Sequence, residues 1–74
     1  MKKVELYIPE VGDSMIITKD VRLAGLNKGQ ILRYVAHIQL GVVCVYEGTQ
    51  TQVLVPYDSI EGLYEGKQVK VTFQ

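Results

Sequence analysis

Alternation of apolar and polar residues, interrupted by turns that contain glycine, is the feature that most constrains the fold of this chain. It is clearest in residues 3–8, 30–40 and 68–73, where every second residue is apolar. A period of two places successive side chains on opposite faces of a strand, so that one face can pack while the other meets water. The pattern therefore predicts an all-β protein.

Three further segments complete the predicted sheet, at residues 15–23, 42–47 and 52–55. The nearly continuous apolar run at 42–46 is typical of a central strand buried on both faces. We expect a small five-stranded barrel or a strongly bent antiparallel sheet. A helix over residues 28–40 is an alternative, although Val35 and Ile38 are β-branched and the period of two favours a strand.

One short helical turn is predicted before the last strand, at residues 57–62. Asp58 suits its N-terminal cap, and Glu61, three residues later, could complete a capping box. Gly62 would end the turn, since glycine commonly follows the last helical residue. The last strand is then expected at 68–73.

The segment 55–60, a Val-Pro pair followed by the predicted turn, and the closing strand at 69–73 resemble the end of small Src-homology-type barrels. The resemblance covers about a quarter of the chain and implies a five-stranded barrel. The aromatic motifs with which signalling members of that family bind proline-rich peptides are absent, and the chain has no Trp. The resemblance therefore implies a fold and no ligand.

The segment Gly12-Asp13-Ser14-Met15 resembles the nucleophile motif of self-cleaving SOS repressors. In that family a neutral lysine, about 35–40 residues further along, removes the proton of the serine. No lysine lies between Lys28 and Lys67 of this chain. The base is missing, so we predict that the protein is not an enzyme.

Residues 8–14 also resemble the opening of lipoyl-carrier domains, which are all-β and of similar length. That family carries its cofactor on a lysine at the tip of a central hairpin. The central hairpins predicted here, at Gly41 and at 48–51, contain no lysine. We therefore predict no cofactor.

His37 and Cys44 are the single histidine and the single cysteine of the chain. A structural zinc site needs about four such ligands, so no metal site is predicted. Cys44 lies in an apolar strand, where we expect a core residue. A lone cysteine fits a reducing compartment, which predicts a cytoplasmic protein.

The 74 residues predict one domain, residues 1–74, and the opening Met1 suggests a whole short gene product. No apolar run approaches the roughly 20 residues that cross a bilayer, so no membrane contact is predicted. The start, residues 1–5, lacks the apolar stretch of a signal peptide.

Five tyrosines are the best candidates for function, because tyrosine combines a large apolar ring with a polar tip. Alternation predicts that Tyr7 faces outward, while the other candidates flank or follow the helical turn. The predicted partner-binding residues are Tyr7, Tyr57, Tyr64, Glu61 and Glu65. They favour a non-catalytic accessory factor that binds protein: a regulator or inhibitor of a larger protein, encoded by a phage or bacterium, or a subunit of an assembly.

The charge distribution provides an alternative, which is weak binding of nucleic acid by the basic first half. Residues 1–37 carry six Lys/Arg and four Asp/Glu, whereas residues 38–74 carry two and four. A zero net charge argues against strong binding, since neutralised phosphates supply most of the affinity. The residues predicted for this role are Lys19, Arg22, Lys28 and Arg33.

Self-assembly is a further expectation. If the last strand, residues 68–73, lies at an open edge of the sheet, it could pair with a second copy of the chain.

Overall fold

A computed structural model, which describes residues 7–73, shows a six-stranded antiparallel sheet with two short 3-10 helices. The strands are β1 (Ser14–Ile17), β2 (Ile31–Ile38), β3 (Gly41–Tyr46), β4 (Gln52–Val55), β5 (Ile60–Tyr64) and β6 (Lys67–Val69). The 3-10 helices are η1 (Arg22–Ala24) and η2 (Tyr57–Ser59). The predicted all-β class is confirmed.

The strands are ordered β4-β3-β2-β1-β5-β6, and the sheet is not closed. Its edges are therefore β4 on one side and β6 on the other. Strand β1 lies between β2 and β5, with Met15 opposite Leu32 and Gly62. A register shift between Tyr34 and Ala36 interrupts the pairing of β2 with β3. Such irregularities bend a strand locally and increase its twist.

The boundaries of several predicted elements are wrong. The strand predicted at 15–23 ends at Ile17, and the chain continues into a loop at 18–30. That loop is fixed by its own polar contacts, among them the Lys28 N–H, which donates to Asp20 Oδ1 over 2.7 Å. The helix considered over 28–40 is the strand β2 instead. Most of the strand predicted at 3–8 lies outside the described residues.

The helical turn after Pro56 is present as η2, but it ends at Ser59 and has no side-chain cap. The predicted capping box is therefore wrong. Glu61 lies on β5, and its Oε1 accepts a hydrogen bond from Gln68 Nε2 over 2.8 Å. Strand β5 replaces the second half of the predicted turn, because Ile60 is already extended. The last strand, β6, spans only the start of the predicted 68–73 segment.

The core lies on one face of the sheet, where alternate residues of β1, β2 and β3 meet. On β3 the buried side chains are Val42 and Cys44, while Val43 and Val45 are only partly covered. Burial raises the pKa of the Cys44 thiol to about 12, as expected for a core residue. The core residues are Met15, Ile17, Leu26, Leu32, Tyr34, Val42, Cys44, Val55 and Ile60.

Gly41 lets the turn between β2 and β3 lie directly against β4. An alanine Cβ at this position would overlap the carbonyl oxygen of Val55 and would lie 3.0 Å from its carbonyl carbon. It would also lie 3.4 Å from Cδ1 of Leu54. The absence of a side chain at Gly41 therefore allows the chain next to the turn residue Leu40 to lie directly against Leu54 and Val55.

Candidate functional site

Three exposed leucines from separate parts of the chain meet on one side of the protein. Leu23 on η1 is fully exposed, Leu40 in the β2–β3 turn is 74% exposed and Leu54 on β4 is 39% exposed. Together with three smaller apolar residues they line a shallow groove of about 290 Å³. We call this groove the leucine surface, and its residues are Val21, Leu23, Ala24, Leu40, Leu54 and Pro56.

The β1–β2 loop positions Leu23 by folding back on itself. The N–H of Val21 donates to the carbonyl oxygen of Leu26 over 2.9 Å, and the N–H of Leu26 returns a bond to Val21 over 3.0 Å. Gly25 permits this reversal because it adopts a φ of 70°, which favours glycine. Leu26 is buried and anchors the loop in the core, which leaves Leu23 outside.

Strand alternation positions Leu54. It precedes the buried Val55, so its side chain points to the opposite face of β4. The leucine surface contains no charged residue. An apolar groove of this kind can bind an apolar side chain, but it offers no group for acid–base or nucleophilic chemistry.

Tyr7 and Tyr64, two of the predicted partner-binding residues, lie together, with ring centroids 5.7 Å apart. Tyr7 is half-buried rather than directed into solvent. Its ring covers Gly62, where an alanine Cβ would lie 2.6 Å from Tyr7 Cε2. Its hydroxyl donates to Asp13 Oδ2 over 2.9 Å.

Tyr57 and Glu61 line a second cleft, of about 240 Å³, with Phe73. The hydroxyl of Tyr57 donates to the carbonyl oxygen of Ile38, and its ring meets Phe73 edge to face at 5.1 Å. Glu65 is exposed in the β5–β6 turn with a positive φ of 52°. The five predicted partner-binding residues therefore do not form one site. Tyr7 lies with Tyr64, Tyr57 lies with Glu61, and Glu65 stands in a turn.

Phe73 lies at the centre of an aromatic cluster that the alternation of residues does not predict. Its ring lies 5.1 Å from that of His37 and 6.2 Å from that of Tyr34. The Tyr34 hydroxyl and His37 Nδ1 are hydrogen-bonded at 2.9 Å. Through these contacts the segment that contains Phe73 packs against β2. The period of two groups Phe73 with Val69 and Val71 on one face. It does not show which strand that face packs against.

The environment of Tyr7 raises its pKa from 10.0 to about 12, first through burial and then through the hydrogen bond and charge of Asp13. We expect Tyr7 to stay protonated at pH 11, and Asp13→Asn to lower its pKa. Because the pKa of Tyr7 is higher in the folded state than in the unfolded state, protonated Tyr7 stabilises the fold. This stabilisation is complete below pH 10 and is lost as the pH rises through 12. Carbon NMR of labelled tyrosines between pH 8 and 13 measures this; a Tyr7 that titrates near 10 contradicts it.

Two of the four cations predicted to bind nucleic acid are paired with carboxylates. Lys19 Nζ lies 3.4 Å from Asp58 Oδ2, and Arg33 Nη2 lies 2.9 Å from Glu47 Oε2. Arg33 also donates to Ser14 Oγ, the hydroxyl of the repressor-like motif, over 3.2 Å. Arg22 and Lys28 lie on the β1–β2 loop. Nucleic-acid binding stays a prediction.

No family model, curated protein or solved structure matches the chain. Among residues 7–73, no helix has the length and apolar character to span a membrane. The same part of the chain holds no group of three or more His, Cys, Asp or Glu placed to bind a metal ion. The meeting of three exposed leucines in one groove makes the leucine surface the candidate site.

Proposed function

We propose that this chain is a non-catalytic protein-binding module that contacts its partner through the leucine surface. The convergence of Leu23, Leu40 and Leu54 supports this proposal. Contiguous apolar groups on the surface of a soluble domain commonly mark an interaction site. Such a module would serve as an accessory factor, a regulator or inhibitor of a larger protein, or a subunit of an assembly. We propose the cytoplasm as its compartment.

The surroundings of the leucine surface favour a protein partner. Arg22 precedes Leu23 in η1, and Tyr57, which is 39% exposed, follows Pro56. The ion pair of Lys19 with Asp58 lies at η2. An apolar centre with charged and aromatic residues around it is the common anatomy of a protein interface. Tyr57, one of the predicted partner-binding residues, is the chain neighbour of Pro56 on the leucine surface.

The energetics also favour leucines as the main contact. Complete burial of one leucine side chain contributes roughly 1.5–3 kcal/mol. Because Leu23 and Leu40 are the most exposed of the three, they have the most surface to lose to a partner. A charge at either position would have to be desolvated in the complex, which opposes binding further.

A pair of substitutions tests this proposal. The double variant Leu23→Asp and Leu40→Asp should retain the fold, since both side chains are exposed in the free protein. We expect it to lose at least tenfold in the amount of partner captured from a lysate of the source organism. Quantitative mass spectrometry at equal bait concentrations measures the loss, and circular dichroism checks the fold.

Val11→Asp is the matched control. The side chain of Val11 is 76% exposed and that of Leu40 is 74% exposed. Val11 lies before β1 and outside the leucine surface. This variant should capture the same partner as the unaltered chain. Equal capture by all three proteins, or the absence of any specific partner of the unaltered chain, would contradict the proposal.

A further inference from the structure

The two edges of the sheet differ in how they are protected against pairing. Strand β6 carries Lys67, and Lys70 follows it. The segment after β6 is also covered, because the Thr72 N–H donates to the Tyr7 carbonyl oxygen over 2.8 Å. Lysines and covering segments are the usual means by which natural sheets block their edges.

In the part of the chain that the structure describes, strand β4 carries no lysine, and η1, which packs near it, makes no backbone hydrogen bond to Gln52 or Leu54. Residues 48–57, which include the whole strand, contain no charged side chain. Strand β4 pairs with β3 alone. An uncharged edge with free backbone groups is a template for another strand.

The register identifies which backbone groups are free. The Tyr46 N–H donates to the Thr51 carbonyl oxygen over 3.2 Å, so Thr51 faces β3. Backbone groups alternate in direction along a strand, and the same register continues through Val53 and Val55. The N–H and C=O groups of Gln52 and Leu54 therefore point away from β3. Among residues 7–73 they have no backbone partner.

We propose that β4 is a self-association strand, which pairs with β4 of a second copy of this chain around a two-fold axis. In the antiparallel register that uses the free groups, Gln52 lies opposite Leu54 of the second copy. Each of these pairs exchanges two backbone hydrogen bonds, and Val53 lies opposite its own counterpart. The two sheets then form one continuous sheet.

Pro56 disfavours the alternative register that is centred on Leu54. If Leu54 lay opposite Leu54 of the second copy, Gln52 would lie opposite Pro56, which has no N–H to donate. That register would lose hydrogen bonds at both ends. The proline therefore favours the pairing centred on Val53 over the pairing centred on Leu54.

A second copy fits this edge because the two free residues of β4, Gln52 and Leu54, pair with each other across a two-fold axis, and charge does not oppose it. The pairing brings no like charges together, since β4 is uncharged. The whole chain has eight basic and eight acidic residues, so no net charge drives two copies apart. Because the strand has only four residues, we expect a weak dimer that forms with rising concentration.

Sedimentation equilibrium from micromolar to millimolar concentration tests this inference. The unaltered chain should shift from monomer to dimer. Gln52→Pro should weaken the dimer at least tenfold, because it removes an N–H that points outward and leaves the bonds to β3 intact. Gln52→Lys should do the same by placing a lysine on the edge, whereas the control Gln50→Lys adds the same charge in the β3–β4 turn and should still dimerise.

A second measurement keeps the inference testable if Gln52→Pro fails to fold. In the unaltered chain, amide hydrogen exchange at Gln52 and Leu54 should slow as the concentration rises. A chain that stays monomeric at millimolar concentration overturns the inference, and so does a dimer that Gln52→Lys leaves unchanged. Gln52 lies outside the leucine surface, so Gln52→Lys should weaken the dimer and still capture the partner, which distinguishes the failure of this inference from that of the proposed function.

Discussion

Gly41→Ala is expected to destabilise the protein by about 2–3 kcal/mol, the usual upper range for a group forced into packed surroundings. The added Cβ would overlap the carbonyl oxygen of Val55, which is backbone and cannot rotate away. Strand β4 would have to move away from the β2–β3 turn. Urea unfolding followed by circular dichroism measures the loss.

Gly29→Ala is the matched control for Gly41→Ala. Gly29 adopts a φ of 93° and has no atom within 4 Å of the position that a Cβ would take. Its replacement should therefore cost only the backbone strain of a positive φ, about 1 kcal/mol. An equal or smaller loss for Gly41→Ala would show that the turn does not lie against β4. The approach of Leu40 to Leu54 would then be wrong as well.

Leu32→Ala is expected to cost about 2–5 kcal/mol, because the deletion leaves a cavity in the centre of the core. Leu32 is 0% exposed and lies between Met15 on β1 and Tyr46 on β3. Small domains have a stability of about 0.05–0.15 kcal/mol per residue, so this loss could unfold much of the population at 25 °C. Thermal unfolding measures the change.

Leu40→Ala removes the same atoms at a site that is 74% exposed. Since little is buried there, we expect a change within about 0.5 kcal/mol. The two variants differ only in position, so their comparison tests the assignment of the core directly. Similar losses for both would contradict it.

Strands β2, β3 and β4 could be predicted from the sequence because their signal is local. Each has alternating or continuous apolar residues between turn residues. Strand β5 could not be predicted in this way. Ile60 and Glu61 follow a proline and an aspartate, which locally favour a helical turn, and the pairing of Ile60 with Ile17 on β1 decides the outcome. That partner lies more than 40 residues away in the chain.

The leucine surface could not be predicted for a related reason. Leu23 and Leu40 each stand at the end of a predicted strand, and alternation counts Leu40 as a core residue. In the structure one lies on η1 and the other in a turn, and both are exposed. Their meeting with Leu54 depends on how the β1–β2 loop folds over β4, and local sequence does not determine that.

Tyr7 shows the opposite error. Alternation predicts that it faces outward, since it is out of phase with Leu6 and Ile8. The structure reverses this phase: Ile8 is 47% exposed, and the Tyr7 ring packs over Gly62, which lies opposite the buried Met15. Gly62 leaves room for the ring because it has no side chain, and the local sequence around Tyr7 does not reveal that contact.

Site-specific photo-cross-linking in cells of the source organism tests the central claim most directly. A photoreactive residue at position 40, in place of Leu40, should form covalent adducts with a specific partner protein. The same residue at position 11, in place of Val11, should form none with that partner. Adducts that are absent at position 40, or equally abundant at both positions, would contradict the account of the leucine surface as the binding site.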